Sequence, residues 1–392
     1  MQLIWPALRT LIARQLYRRC ARCILNERAA QIDPLSGLCS HCAEHVDRPA
    51  ATVVRDGMRD EMSAVIRKAI DAQPAAQFHA VLLFSGGKDS CYMLMRLMKE
   101  FPDIRILCLS VDNTFMSPVA IENINTAVKA LGAAHLWVRP PAEMMAQVFK
   151  TALSDRGAKM GIVDHIDGEF RSDIAKTIAH QHGVSLIFMG LSPEQVEGIV
   201  GIQTFEMPPV PSDPLPKTQL SGMGVSALCD QRWSGWWWAG QRAGVPLPSF
   251  IFPLYAWQVS EPEIIAAVAQ SGIVPMKKLS PMLTNHALIV PMAIVDYVRH
   301  GYFTYEPEFA EMIRVGRARR SDWIGIFEYL EYAAKTGRLL PASFDHVLTR
   351  LGLTRQELGI PGTGHRAPRS QSHTAGKLRG WFGRGGRSLA AR

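Results

Sequence analysis

Phe84-Ser85-Gly86-Gly87-Lys88-Asp89-Ser90 gathers residue types suited to holding an anion. Two adjacent glycines let the backbone turn sharply and bring its N–H groups against an anion with no Cβ in the way. A helix beginning at Lys88 would add unpaired N–H groups and the positive end of its dipole. Lys88 contributes a full charge, and Ser85 and Ser90 contribute hydroxyl donors. Together they describe a cradle for pyrophosphate, much tighter in spacing than the Walker loop.

The second constellation is Cys20-x2-Cys23-x15-Cys39-x2-Cys42. Each CxxC offers two thiolates from one turn, and the intervening loop can bring both turns around a tetrahedral ion, as in a four-thiolate zinc ribbon. Arg19, Arg22 and His41 would offset part of the thiolate charge. Four protein ligands leave no open position, so Zn2+ here is expected to be structural. A redox pair is the rival reading. Cys91, Cys108 and Cys229 are scattered. With no secretion signal evident, a reducing, cytoplasmic setting is expected, where paired thiols go with metal.

The cradle needs a buried strand before it and a helix after it. Ala80 to Phe84 is a short, uninterrupted apolar run, as expected of a buried parallel strand. Lys88 to Glu100 reads as a helix, Ile104 to Val111 as a strand, Val119 to Leu131 as a helix and Ala134 to Val138 as a strand. Helices over Ala142 to Ser154 and Ser172 to His182 and a strand over Ser185 to Met189 follow. This alternation predicts an α/β fold: a parallel-sheet, Rossmann-like α/β/α sandwich. In open sheets of this kind ligands bind beyond the carboxyl ends of the strands. Asp112 and Asn113 follow the second strand, and Gly190 ends the later one, where it would let backbone approach a nucleotide. Beyond Gly190 the pattern loosens. Residues 207–216 hold five prolines, which exclude regular structure and read as an ordered loop or lid. From Glu261 to about Leu358 the chain reads as mainly helical.

Across 392 residues, 47% hydrophobic and 20% charged content is that of an ordinary soluble globular protein. No stretch approaches the ~18–20 apolar residues of a membrane-spanning helix. The net charge of +8 resembles a nucleic-acid footprint until it is located. Seven basic residues and no acidic ones lie between Gly364 and Arg392, leaving the rest near neutral. A basic, Gly- and Ser-rich tail is expected to be disordered, with nucleic-acid or anionic-membrane contact as the alternative. Met1 to Arg19 mixes arginines with apolar residues and reads as a packing helix rather than a targeting segment.

Ser-Gly-Gly-Lys-Asp-Ser resembles the signature of the PP-loop ATP pyrophosphatases, the adenine nucleotide α-hydrolase group, which split ATP between its α and β phosphates and leave AMP on the substrate. The resemblance implies ATP and Mg2+ as cofactors. It implies nucleotide binding by Ser85, Gly86, Gly87, Lys88, Asp89, Ser90, Asp112 and Gly190, with Asp112 and Asn113 near the adenosine. Lys88, Asp89 and Ser90 become the catalytic candidates. A ribbon ahead of such a domain is similar to two groups, the tRNA thiolases and the N-acetyl sugar amidotransferases of surface-polysaccharide pathways. Gly37-Leu38-Cys39 ahead of the second CxxC resembles the amidotransferases. Ile251 to Ile264 resembles the segment that follows the nucleotide site in the PP-loop class, and Thr284-Asn285-His286, with Gly301-Tyr302 through Glu306-Pro307-Glu308 to Arg317, resembles the closing helices of the amidotransferases. Where thiolases carry a further CxxC, this chain has Gly161-Ile162-Val163-Asp164-His165-Ile166-Asp167. The amidotransferases often have cysteines there too, so the chain departs from both patterns. The implied organisation is an N-terminal helix and ribbon over 1–52, a PP-loop ATP-binding domain over 53–260, a helical region over 261–362 and a basic tail over 363–392.

The expected reaction is attack of a substrate amide or carboxyl oxygen on the α-phosphate, pyrophosphate release, and displacement of AMP by ammonia. The acceptor would be sugar-nucleotide-like, with ammonia from a separate glutaminase or cyclase partner. A sulfurtransferase acting on tRNA or a small molecule through Cys229, with the strand-buried Cys108 as the lesser candidate, and a nucleotide-binding adaptor without catalysis, are the alternatives. Arg314, Arg317, Arg319 and Arg320 are candidates for gripping an anionic part of the substrate, or a solvated helix face. Trp233, Trp236, Trp237 and Trp238 are candidates for stacking on a ligand, or core. Asp164, His165 and Asp167 read either as an acid–base group or as a polar loop.

Overall fold

The computed structural model describes residues 5–45, 56–208, 219–220, 223–224, 247–280, 284 and 286–362. The chain begins with α1 (Trp5–Ile12), the cysteine module and α2 (Ser40–Glu44), then α3 (Asp56–Ala72). Strands and helices alternate from there: β1 (Ala80–Leu83), α4 (Lys88–Glu100), β2 (Ile106–Val111), α5 (Pro118–Leu131), β3 (Ala134–Val138), α6 (Ala142–Ser154), α7 (Ile162–Gln181) and β4 (Leu186–Phe188). A single turn, α8 (Pro193–Gln195), precedes β5 (Glu206–Met207), the small β6–β7 pair (Gln219–Leu220, Met223–Gly224) and β8 (Ser249–Ile251). Then come α9 (Pro253–Trp257), α10 (Glu261–Gln270), α11 (Ile289–His300), α12 (Glu306–Arg314), α13 (Arg320–Thr336) and α14 (Ala342–Leu351).

The main sheet has the order β3-β2-β1-β4-β8-β5, parallel except for β5, which runs antiparallel to β8. Apolar side chains on both faces of β1, β2 and β4 explain their central places, whereas β3 keeps partly exposed residues and forms one edge. Helices α3, α4, α9 and α10 pack together, as do α6, α7 and α14, while α7 lies against β1 and β4. This is the Rossmann-like sandwich expected, with a four-cysteine module in front and a helical C-terminal region behind. Among the described residues no helix is long and apolar enough to cross a membrane.

The chain winds outward from β1 through β2 to β3 and then returns to place β4 on the other side of β1. The carboxyl ends of β1 and β4 therefore flank a topological switch point, where open sheets hold ligands. Two expectations need correction. The helix expected over Ser172 to His182 begins ten residues earlier, at Ile162. Gly161, at φ +66, starts it, and Asp164, His165 and Asp167 stand on its first turns rather than in a loop. The loosened stretch after Gly190 supplies β5 and β8, too short to show a periodicity of their own.

The N-terminal module is fastened to the C-terminal helices by buried charge. Arg19, 3% exposed at its side chain, pairs with Glu306 at 2.8 Å and Glu331 at 2.7 Å, both fully buried. Tyr297 donates to Glu306, and Lys335 lies 3.4 Å from Glu331. Trp5 and Arg9 of α1 donate to Glu328 on α13. Removing one partner of a buried ion pair strands the others. Arg19→Met is expected to destabilise the protein by about 3–5 kcal/mol in denaturant unfolding. Arg67→Met, which breaks the exposed pair with Asp103, should cost no more than about 1 kcal/mol.

Candidate functional site

The Ser85–Ser90 loop joins β1 to α4. Gly86 adopts φ +72, and a Cβ there would lie 2.5 Å from the Ala120 carbonyl oxygen and 2.7 Å from Ile124 Cγ1. Only glycine fits so close to α5 in that conformation. Asn123 holds the turn by donating to the carbonyls of Gly86 and Lys278, each at 3.0 Å. Ser85 and Ser90 place their hydroxyls 3.2 Å apart, and Ser90 Oγ donates to the Gly87 carbonyl.

Gly87 is the N-cap of α4 and offers no side chain to cap it. The thirteen-residue helix therefore starts with its first N–H groups free of a side-chain acceptor, at the positive end of its dipole. The adjoining cavity is about 250 Å³, smaller than the roughly 300–1,000 Å³ of a whole small-molecule site. Ser85, Gly87, Lys88 and Asp89 form one wall; Ser192 to Gln195 of the loop after β4, Glu261 of α10, and Thr284 with His286 form others. Tyr305, Glu308, Phe309 and Met312 close it from α12 and the loop before it.

Lys88 is buried and folds back, its Nζ 2.7 Å from Asp89 Oδ2 and 3.6 Å from Glu261 Oε1. Burial alone would lower its pKa, but the two carboxylates outweigh it and hold the ammonium above its usual range. Glu261 is pushed upward by burial, against the pull of Lys88. Glu308 keeps part of its surface on the cavity yet is walled in by protein. Burial, with Glu194 as a neighbouring charge, pushes it up to about 8, although Gln195 donates to it.

Gly190 stands behind the cradle, where a Cβ would meet the Ser90 nitrogen at 3.7 Å in ordinary contact. Asp112 is buried away from the cavity lining, paired with Arg139 at 2.7 Å, and accepts from the Thr114 nitrogen. Asn113 donates to Asp167 at 2.8 Å, and Asp167 also pairs with Arg171 of the cavity wall. Asp164 is not partnered with His165 in an acid–base pair. It accepts from His286, at 2.6 Å, and from Tyr305, both cavity residues. His165 does not line the cavity, and burial lowers its imidazole.

The four arginines separate. Arg317 reaches the cavity, paired with Glu194 and Gln258. Arg314 pairs with Glu311, and its charge is felt by the thiols of the cysteine module. Arg320 donates to the carbonyls of Cys23 at 2.7 Å and Cys20 at 3.1 Å. Arg319 is exposed beside Asp322. The proposed anion grip thus reduces to Arg317; two of the others serve the cysteine module. Cys229, the tryptophans 233 and 236–238, most of the proline-rich stretch and the basic tail lie outside the described residues.

The sulfurs of Cys20, Cys23, Cys39 and Cys42 lie buried within 4.8 Å of one another. Cys23 and Cys39 sulfurs are 3.7 Å apart, far beyond a disulfide of ~2.05 Å. That separation matches the ~3.8 Å tetrahedral edge implied by Zn–S bonds of about 2.3 Å. Backbone N–H groups of Cys23 and Cys39 donate to the Cys20 sulfur. The four thiols thus fit a tetrahedral metal ion.

Glu194, Glu261, Glu308, His286 and Tyr305 had no individual role in the sequence reading. Two capping boxes were legible signals: Ser192 with Gln195, and Ser260 with Glu263, each fixing a helix start that delivers a glutamate to the cavity.

No family model matches the chain. A curated relative, an uncharacterized protein of Methanocaldococcus jannaschii, is 28% identical over 113 residues, 28% of this chain and 39% of that one. The chain thus spans about two fifths of that relative's length. Among solved structures, the ammonia-dependent NAD synthetase of Campylobacter jejuni aligns with a TM-score of 0.34 and 11% identity over 73% of this chain and 97% of its own. The NMN synthetase of Francisella tularensis gives 0.33 and 12% over 81% and 98%. The U34-tRNA thiolase of Methanococcus maripaludis, with its 4Fe-4S cluster, gives 0.35 and 14% over 78% and 89%.

Two measurements follow from this geometry. Purified protein is expected to carry about one zinc per chain by elemental analysis. Cys39→Ser should lose it and lower the melting temperature, because a structural metal contributes folding energy. Glu308 and Asp296, the latter pushed up by burial to about 7, retain protons in the folded state that the unfolded chain has released. The stability these two groups contribute should therefore be full below about pH 4 and fall as pH rises to about 8, by at most about 1.4 kcal/mol per unit and group. Glu308→Gln should flatten the upper part of that slope in denaturant titrations.

Proposed function

We propose that this chain is a PP-loop ATP pyrophosphatase that adenylates a carbonyl or carboxyl oxygen of its substrate. The observation that carries this reading is the uncapped start of α4, opening with Lys88 onto a cavity at the switch point of a parallel sheet. Such a place suits the β- and γ-phosphates of ATP. The small volume of the cavity suits the phosphates and reacting group better than a whole nucleotide.

In this reading the substrate oxygen attacks the α-phosphorus, an O–P bond forms, and the α–β bridge breaks with its electron pair leaving on pyrophosphate. Charge on the departing pyrophosphate meets fixed N–H donors and Lys88, whose place is set before the reaction begins. Lys88 would leave Asp89 to meet the phosphates. Asp89, with 37% of its side chain exposed, would then be free to face a magnesium ion. Magnesium would supply charge neutralisation at the phosphate oxygens.

We further propose nitrogen rather than sulfur transfer as the second half: ammonia forms the C–N bond, the C–O bond to AMP breaks, and a proton leaves to solvent. Among the described residues no cysteine lines the cavity. Cys91 and Cys108 are buried, and burial pushes both thiols up to about 12, against the thiolate that sulfur transfer needs. The resemblance of the C-terminal segments supports an N-acetyl sugar acceptor, and ammonia from a separate partner goes with it. A zinc ion in the four-thiol site and a reducing cytoplasmic setting complete the reading.

Pyrophosphate release from ATP is the test, with ammonium and with sulfide, across acetamido sugar nucleotides and bulk tRNA. Release requiring a sugar and ammonium is expected, with a loss of about 100-fold or more in Lys88→Ala. Release only with tRNA and sulfide would replace nitrogen transfer by thiolation. ATP binding without release under any condition would leave an adaptor.

A further inference from the structure

Two carboxylates in the cavity wall hold oxygens that no hydrogen bond among the described residues satisfies. Glu261 is 6% exposed, and its Oε2 accepts from Trp323 at 3.1 Å. Its Oε1 has no hydrogen-bond partner among the described residues and has only Lys88 nearby, at 3.6 Å. Glu194, 8% exposed at its side chain, gives one oxygen to Arg317 and leaves Oε2 likewise without a partner. The cavity's other cation, Arg171, is taken by Asp167. Buried acceptors of this kind call for donors, and phosphate brings none.

Lys88 makes the matter conditional. Without nucleotide it serves the carboxylates of Asp89 and Glu261. Phosphate draws it away, and Glu261 is left as a buried carboxylate with one satisfied oxygen, a costly state unless a cation replaces the lysine. Among the described residues no three carboxylate oxygens cluster tightly enough to form a metal cage, which leaves an N–H donor as the better-suited occupant.

We propose that Glu261 and Glu194, each with an unsatisfied oxygen in the cavity wall, form a subsite for a protonated nitrogen, ammonium or the amino group of an acceptor, which becomes available when phosphate takes Lys88. The site rests on the phosphate-binding reading above for its timing, though not for its existence. Linkage makes the coupling reciprocal: the cation tightens the nucleotide by the same factor as the nucleotide tightens the cation.

The experiment titrates the full chain with α,β-methylene-ATP and magnesium in ammonium, methylammonium, tetramethylammonium and sodium chlorides at equal ionic strength. The analogue should bind about fivefold or more tightly in ammonium or methylammonium than in sodium. Tetramethylammonium, which has charge but no N–H donor, should match sodium. The ratio is taken within each protein, so a general loss of affinity cancels. It should fall to near one in Glu261→Gln and in Glu194→Gln, and persist in Glu143→Gln on the exposed face of α6. Preference for ammonium over methylammonium assigns the subsite to the nitrogen donor; the reverse assigns it to an acceptor amine. A ratio of one in the wild-type protein, equal tightening by tetramethylammonium, or a ratio unchanged in both glutamate variants overturns the subsite. If the analogue binds in no salt, the phosphate reading fails. Broadening of the 15N-ammonium resonance is then read in Lys88→Ala, where no lysine holds Glu261; the subsite is upheld if adding Glu261→Gln abolishes it and overturned if Lys88→Ala causes none.

Discussion

Leaving the start of a buried helix uncapped is the constraint around which this molecule is built. The first N–H groups of a helix need acceptors, and a side chain at the N-cap is the common answer. Here Gly87 gives none, and the surrounding fold holds the turn open instead. Gly86 sits against α5 where no Cβ fits, Asn123 clamps its carbonyl, and Ser90 bonds back to Gly87. Parallel strands on either side of β1 keep the loop at the switch point. Each of these contacts fixes the direction of donors that would otherwise be lost to a local cap.

The same logic explains why a cysteine module lies so far from the sheet yet bears on the cavity. Helix α12 carries Glu306 at its start and Glu308 two residues on, which on a helix face nearly opposite ways. Glu306 is held by Arg19, next to Cys20, and Arg314 ends α12 paired with Glu311. The face between them turns Glu308, Phe309 and Met312 into the cavity. A helix held at its start by the residue beside Cys20 is thereby fixed in rotation, and rotation decides whether Glu308 faces the Ser85–Ser90 loop.

The cradle was legible because its chemistry is local: six consecutive residues between a strand run and a helix run carry both the turn and the charge. The four thiols were legible for the same reason, since spacing alone brings each pair together. What escaped the sequence is what the chain assembles from distant segments. Asp164 looked like a partner for its neighbour His165, but a helix turns adjacent residues about 100° apart, and Asp164 meets His286 and Tyr305 instead. Arg320 and Arg314 read as anion grips because a helix full of arginines has no visible partner until the cysteine module docks on it. β5 and β8, of two and three residues, are strands only because β4 offers an edge to extend.

Charge in the cavity is balanced by exchange rather than by excess. A phosphate site with several free cations would bind phosphate tightly and release pyrophosphate slowly. Here Lys88 is neutralised by Asp89 and Glu261, and Arg317 by Glu194, before any ligand arrives. Binding must then break one set of pairs to make another, so part of the attraction is spent on rearrangement, and the product leaves into a site that closes on itself. In the proposed reaction the carboxylates that make this possible would be left buried and under-bonded at the moment the phosphates are seated. That imbalance lies in the ground state of the bound protein, and a donor arriving second would relieve it.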